Sequence, residues 1–128
     1  MPSLPRFTDW QLLKTKHEHW AYKEDIEDDG PACYELGIRK LAGDVHTVYV
    51  GHATNLRSRM HSHAIGDNTT KRFMAKSVAN GFQVWFRFHR MASTYQAEVL
   101  ENSLIHKSWW KYPWNKVGSP WHPIHPPR

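Results

Sequence analysis

Cysteine is almost absent from this chain of 128 residues, with Cys33 the only one. An internal disulfide framework and any all-cysteine metal site are thereby excluded. No apolar run approaches the roughly 20 residues that span a bilayer, so no membrane partner is expected. The opening stretch, MPSLPRFTDWQ, lacks the basic-then-apolar order of a secretory signal. A reducing, cytoplasmic setting is expected. Internal repeats and low-complexity tracts are missing as well. A chain of this length suits one domain, which buries roughly two-thirds of the surface its unfolded form exposes. Such a domain needs neither disulfide nor metal to fold.

Acidic residues are scarce outside one stretch. Asp and Glu number 12 against 17 Lys and Arg, for a net charge of +5. Five of the twelve acids fall in the run Glu24, Asp25, Glu27, Asp28 and Asp29. Between residues 52 and 90 the basic side chains Arg57, Arg59, Lys71, Arg72, Lys76, Arg87 and Arg90 face a single acid, Asp67. A field of that sign favours a polyanion, of which nucleic acid is the commonest, or forms a solvated basic surface.

Pattern and punctuation predict the elements. Thr8-Asp9-Trp10-Gln11 has the form of a capping box. With Leu12, Leu13, Lys16 and Trp20 at helical spacing, it predicts a helix over 8–22. The acidic run to Gly30-Pro31 reads as a loop. Ala32 to Arg39 alternates, with Tyr34, Leu36 and Ile38 on one face. His46 to Gly51 is β-branched and aromatic. The short turn between them predicts an antiparallel hairpin. Thr54-Asn55 opens a helix to Ala64, and a second helix runs from Thr69 to Ala79, closed by Asn80-Gly81. Phe82, Val84, Phe86 and Phe88 mark a third strand. Ser93-Thr94-Tyr95-Gln96 is another capping box, opening a helix to Lys107. The expected class is α+β, a small three-stranded, mainly antiparallel sheet flanked by helices. The expected division is an N-terminal helical extension (1–29), a core domain (30–118) and a proline-rich tail (119–128).

Three features bear on chemistry. On the last helix, Ala97, Leu100, Leu104 and Ile105 form an apolar stripe, and steps of three and four place Glu101 inside it. A carboxylate there needs a cation, a metal or a strong hydrogen-bond donor. A core salt bridge and a metal or catalytic role both satisfy that need. Glu98 lies at the edge of the stripe, as an exposed charge would. On the first core helix, Arg59 and His63 are four residues apart and share a face, beside the anchors Leu56 and Met60. On the hairpin, Tyr34 and Tyr49 can meet on one face, where strand tyrosines are usually core residues. Histidine pairs such as His61/His63 are two residues apart and diverge on a helix, which argues against structural zinc.

Taken together, PACYELGI, VYVGHATNLRSRMHSH and AEVLENSLIHKSWWKYPWN closely resemble the GIY-YIG nuclease family. The likeness extends to its homing-endonuclease branch and to the N-terminal nuclease domain of the bacterial excision-repair incision subunit. It covers residues 30 to 118. Ala32-Cys33-Tyr34 stands where the family has its first triplet, and Tyr49-Val50-Gly51 stands at the second. The resemblance implies that Arg59 and His63 are active-site residues on the helix and that Glu101 is the metal-binding glutamate. It implies that Asn115 is the late asparagine, bonded near Glu101, and that His52 supports the tyrosine. The family's first glycine is Ala32 here, and its isoleucine or valine is Cys33. Fourteen residues separate the two tyrosines, more than is usual, so a longer turn around Gly43 is expected.

The implied activity is metal-dependent hydrolysis of DNA phosphodiester bonds, with one Mg2+ or Mn2+ ion on Glu101. Arg59 would hold a phosphate oxygen through its planar, permanently charged fork. Tyr34 would orient or deprotonate the attacking water, given enough neighbouring positive charge from His52, His63 and Arg59 to lower a phenol of pKa about 10. Tyr49 would position water or phosphate. Arg57, Lys71, Arg72 and Lys76 are the candidate contacts to nucleic acid outside the site, making binding salt-dependent. The expected partner is DNA, double-stranded by preference, bound by a monomer or homodimer. The alternatives are a non-catalytic nucleic-acid-binding module and an RNA-directed nuclease.

Overall fold

A computed structural model describes residues 6–16, 30–40, 42–66 and 70–115. Among them four strands form one sheet: β1 (Gln11–Lys14), β2 (Ala32–Lys40), β3 (His46–Ala53) and β4 (Phe82–Arg90). Three helices accompany it: α1 (Leu56–Ile65), α2 (Lys71–Ala79) and α3 (Thr94–Ser108). Short 3-10 turns follow at Trp109–Lys111 and Pro113–Asn115. The strand order is β1-β4-β2-β3, with every neighbouring pair antiparallel. The α+β class expected from the sequence is the one observed. No helix among the described residues is long and apolar enough to cross a membrane.

One expectation fails. The sheet has a fourth strand where a helix over 8–22 was predicted, and β1 belongs to the sheet and not to a separate helical extension. The reason lies in Thr8. Its hydroxyl accepts from the amide of Phe88 (3.1 Å) and its own amide donates to the Phe88 carbonyl (2.9 Å). The cap-type side chain thus serves a neighbouring strand instead of a helix of its own. β4 would otherwise show an open row of amides and carbonyls, and β1 covers part of it. Leu13 is fully buried beneath that pairing. The rest of the predicted helix, the acidic run and the proline-rich tail lie outside the described residues.

The central strands follow the predicted pattern. In antiparallel pairs, opposed residues share a face. The register opposes Tyr34 to Gly51 and Phe88, and Leu36 to Tyr49 and Phe86. That face meets α1 and α2 through Leu56, Met60, Ala64 and Met74. Cys33 is opposed to His52, and Glu35 to Val50 and Arg87, on the other face. There Cys33 and Val50 cluster with Ile105 of α3 and with Tyr112. The longer turn takes Gly43 to φ 98°, where only glycine is unstrained, and the extra length is absorbed by a bulge at Leu36/Gly37. Gly66 closes α1 in the left-handed conformation at φ 75°, its amide bonded to the last turn. At the start of α3, Ser93 accepts from the Gln96 amide as its capping box predicts, whereas Asn55 before α1 makes no side-chain cap.

Candidate active site

On β2 and β3 the two phenols meet as the hairpin predicts, their ring centroids 6.1 Å apart. Gly51 makes the approach possible. A Cβ added there would lie 2.5 Å from the Tyr34 hydroxyl oxygen, so the second triplet must end in glycine for the first tyrosine to lie across it. The Tyr34 ring is wholly buried, and its hydroxyl lies 2.7 Å from His63 Nε2. His63 is also the ring neighbour of Tyr49, at 5.6 Å. Tyr49 is only half-buried.

On α1, Arg59 and His63 differ in burial. His63 joins Leu56, Met60 and Ala64 in the buried stripe, while Arg59 stands exposed at its margin. Arg59 is nevertheless close enough for its charge to favour ionisation of both Tyr34 and Glu101.

Glu101 lies on the inner face of α3 as its spacing predicts, with 16% of its side chain exposed. Burial raises its pKa above that of an ordinary carboxylate, opposed by its bond to His52 and by Arg59. His52 Nδ1 is hydrogen-bonded to Glu101 Oε1, and its Nε2 lies 3.7 Å from Glu98. His52 therefore attends the carboxylate and not a tyrosine. The register explains this, since His52 opposes Cys33 on the face under α3, whereas both tyrosines are on the opposite face. Glu98 is exposed, as expected.

Asn115 is also placed differently from expectation. Its Oδ1 accepts from the Val50 amide (2.9 Å) and its Nδ2 donates to the Val50 carbonyl (2.8 Å). The side chain behaves like one residue of a further strand on the edge of β3, and it fixes the backbone between Tyr49 and Gly51. Its bonds go to the hairpin rather than to Glu101.

Tyr34 was expected to be lowered by nearby cations. The shift runs the other way. Burial raises its pKa well above that of a free phenol, Tyr49 and Glu101 add to the rise, and Arg59 alone opposes it. A sealed, protonated phenol cannot itself meet bulk water.

Arg57, Lys71, Arg72 and Lys76 are all exposed on α1 and α2. Arg87, counted in the same basic segment, is not part of that field. Its guanidinium binds Glu35 (2.6 Å and 2.7 Å) and lies 4.3 Å from the Trp10 ring centre. Tyr112 donates to the other Glu35 oxygen. The buried core ion pair considered for Glu101 is thus made by Glu35. No local signal marks this, since the need for a partner follows from β2 lying between β3 and β4 with both faces covered, which only the fold decides.

No group of three or more His, Cys, Asp or Glu residues able to hold a metal occurs among the described residues. The single semi-exposed carboxylate of Glu101 suits a hard ion that keeps most of its ligands as water and substrate oxygen, as Mg2+ does, and does not suit structural zinc.

No family model and no solved structure matches the chain. Over 93 residues the chain is 37% identical to UvrABC system protein C of Streptococcus uberis, a match spanning 71% of this chain and 14% of that protein. The chain thus corresponds to a small part of the curated relative it matches.

Proposed function

We propose that this protein is a metal-dependent endonuclease of GIY-YIG type that hydrolyses DNA phosphodiester bonds. The observation that carries the proposal is the meeting of Tyr34, Tyr49 and His63 on one face of the sheet, with the Arg59 charge acting on both Tyr34 and Glu101, a carboxylate that keeps an opening to solvent. The match to a UvrABC system protein agrees with the resemblance carried by the two triplets and the LENSLI segment. The exposed cations of α1 and α2 agree with a polyanionic partner.

The reaction must place a water opposite the leaving oxygen and stabilise charge on the phosphate. Mg2+ or Mn2+ held by Glu101 would stabilise that charge and the departing alkoxide. Arg59 is permanently charged and exposed, and it holds a non-bridging oxygen through its fork. Tyr49, the half-buried phenol, faces the water. Tyr34 and His63 lie behind it and hold its hydroxyl in place. Asn115 positions the Tyr49–Gly51 backbone from the far side. His52 orients the Glu101 carboxylate. Arg57, Lys71, Arg72 and Lys76 bind phosphates flanking the scissile bond.

The test is cleavage of supercoiled plasmid, single-stranded DNA and RNA with Mg2+ or Mn2+, and with chelator. Glu101→Ala and Arg59→Ala are run beside the wild type. Metal-dependent nicking that falls by about a hundredfold or more in both variants, in the range that removal of a charge-stabilising group produces, supports the reading. Tight binding with no cleavage in any metal identifies a binding module instead. Preference for RNA moves the substrate class and leaves the site intact.

A further inference from the structure

Behind the two tyrosines the hydrogen-bond chain continues one residue further than the family resemblance reaches. His63 Nδ1 lies 2.7 Å from Thr70 Oγ1, and His63 Nε2 lies 2.7 Å from the Tyr34 hydroxyl. Tyr34, His63 and Thr70 are each at most 1% exposed. Thr70 immediately precedes α2, where a threonine hydroxyl ordinarily accepts an amide of the first turn. It makes no such bond; the hydroxyl faces His63 instead. The helix has given up a side-chain cap, and the imidazole has gained a second partner.

A neutral imidazole carries one proton, and the partner of one nitrogen decides what the other can do. A phenol is a better donor than a neutral imidazole N–H, and an imidazole nitrogen is a better acceptor than a phenol oxygen. Tyr34 therefore donates to a bare Nε2. The imidazole proton then sits on Nδ1 and is accepted by Thr70 Oγ1.

We propose that Thr70 is a positioning residue that holds His63 as the Nδ1–H tautomer, which directs the Tyr34 proton inward and leaves the Tyr34 oxygen to accept from Tyr49. The Tyr49 lone pairs then face the water. This reading rests on the nuclease function proposed above. When water is activated, its proton passes to the Tyr49 oxygen, the proton of Tyr49 to the Tyr34 oxygen, and the proton of Tyr34 to His63 Nε2. The hydroxide formed attacks phosphorus and the leaving oxygen departs with its electron pair. Both phenols end neutral and His63 carries the extra proton, its Nδ1–H still held by Thr70. No free phenolate is required at any point, which suits a Tyr34 hydroxyl sealed from solvent.

The test compares the full-length wild type with Thr70→Val, which keeps the shape and loses the hydroxyl, and Thr70→Ser, which restores the hydroxyl. Long-range 1H–15N spectra of the histidine rings report the tautomer without reference to activity. In the wild type, His63 should show a protonated Nδ1 and a bare Nε2. Thr70→Val should lose that signature and Thr70→Ser should keep it. In plasmid cleavage, Thr70→Val should lower kcat about tenfold or more, part of the roughly hundredfold or larger contribution that a positioned proton acceptor makes. KM should be unchanged, and Thr70→Ser should recover most of the rate. Thermal melts confirm that each variant is folded. A protonated Nε2 in the wild type overturns the proposal, as does unchanged kcat in Thr70→Val. A wild type that cleaves nothing removes the nuclease reading and the relay, while its ring spectrum still decides the tautomer.

Discussion

Single atoms decide whether this site exists. Gly51 is the clearest instance, because a methyl group there would fall 2.5 Å from the Tyr34 hydroxyl oxygen and 2.6 Å from its Cζ. The ring is wholly buried and has nowhere to retreat. Overpacking of this kind costs about 1–3 kcal/mol. Gly51→Ala should lower the melting temperature and separate Tyr34 from His63, with plasmid cleavage lost along with the hydrogen bond. A variant as stable and as active as the wild type would show that the ring can slide. Glu35 makes the complementary point. As the middle of an alternating strand it looks like an outward-facing acid. It is 2% exposed and held by Arg87 and Tyr112. Its partners lie 52 and 77 residues away, beyond any local pattern.

Among the elements, β1 departs furthest from expectation and is also the most open to test. A capping box and helical spacing favoured a helix, yet Thr8 bonds to Phe88 on both its amide and its hydroxyl, and Leu13 enters the main core. Local propensity is a weak prior against an edge strand that needs a partner and an apolar seam that needs filling. If β1 is integral, Leu13→Ala should cost about 2–5 kcal/mol, as large-to-small changes in a core do. A melt shifted by less than a degree would mean that β1 is only loosely applied. α3, by contrast, was legible in detail. Ser93 caps the Gln96 amide, Ala97 and Ile105 are buried, and Glu101 lies on the inner face. A fifteen-residue helix has enough turns for its period to outweigh any single contact.

At the scale of the whole molecule, burial of ionisable groups sets a limit on stability at high pH. Cys33, Tyr34 and Tyr112 are all buried, and burial is the largest cause raising each above its ordinary value of 9.0 for the thiol and 10.0 for the phenols. Below those values both the folded and the unfolded chain hold these protons, and stability is unaffected. Above them the unfolded chain releases protons that the folded chain keeps, so stability falls as pH rises. Each group contributes about 1.4 kcal/mol per pH unit over that window. Thermal melts should therefore drop steeply from about pH 9 upward, together with late appearance of tyrosinate absorbance. A melting temperature level to pH 11 would show that these groups ionise in place. What the sequence settled alone was the α+β class, the strand pair bearing two tyrosines, and the inward turn of Glu101. Those follow from periods of two and of 3.6 residues, which are local. Only the tertiary structure decided that His52 serves Glu101, that Asn115 braces Val50, that Arg87 is neutralised within the core, and that Thr70 stands behind His63. Each of those is a meeting of side chains from separate elements, set by strand register and by the way helices lie on the sheet, which periodicity along the chain does not encode.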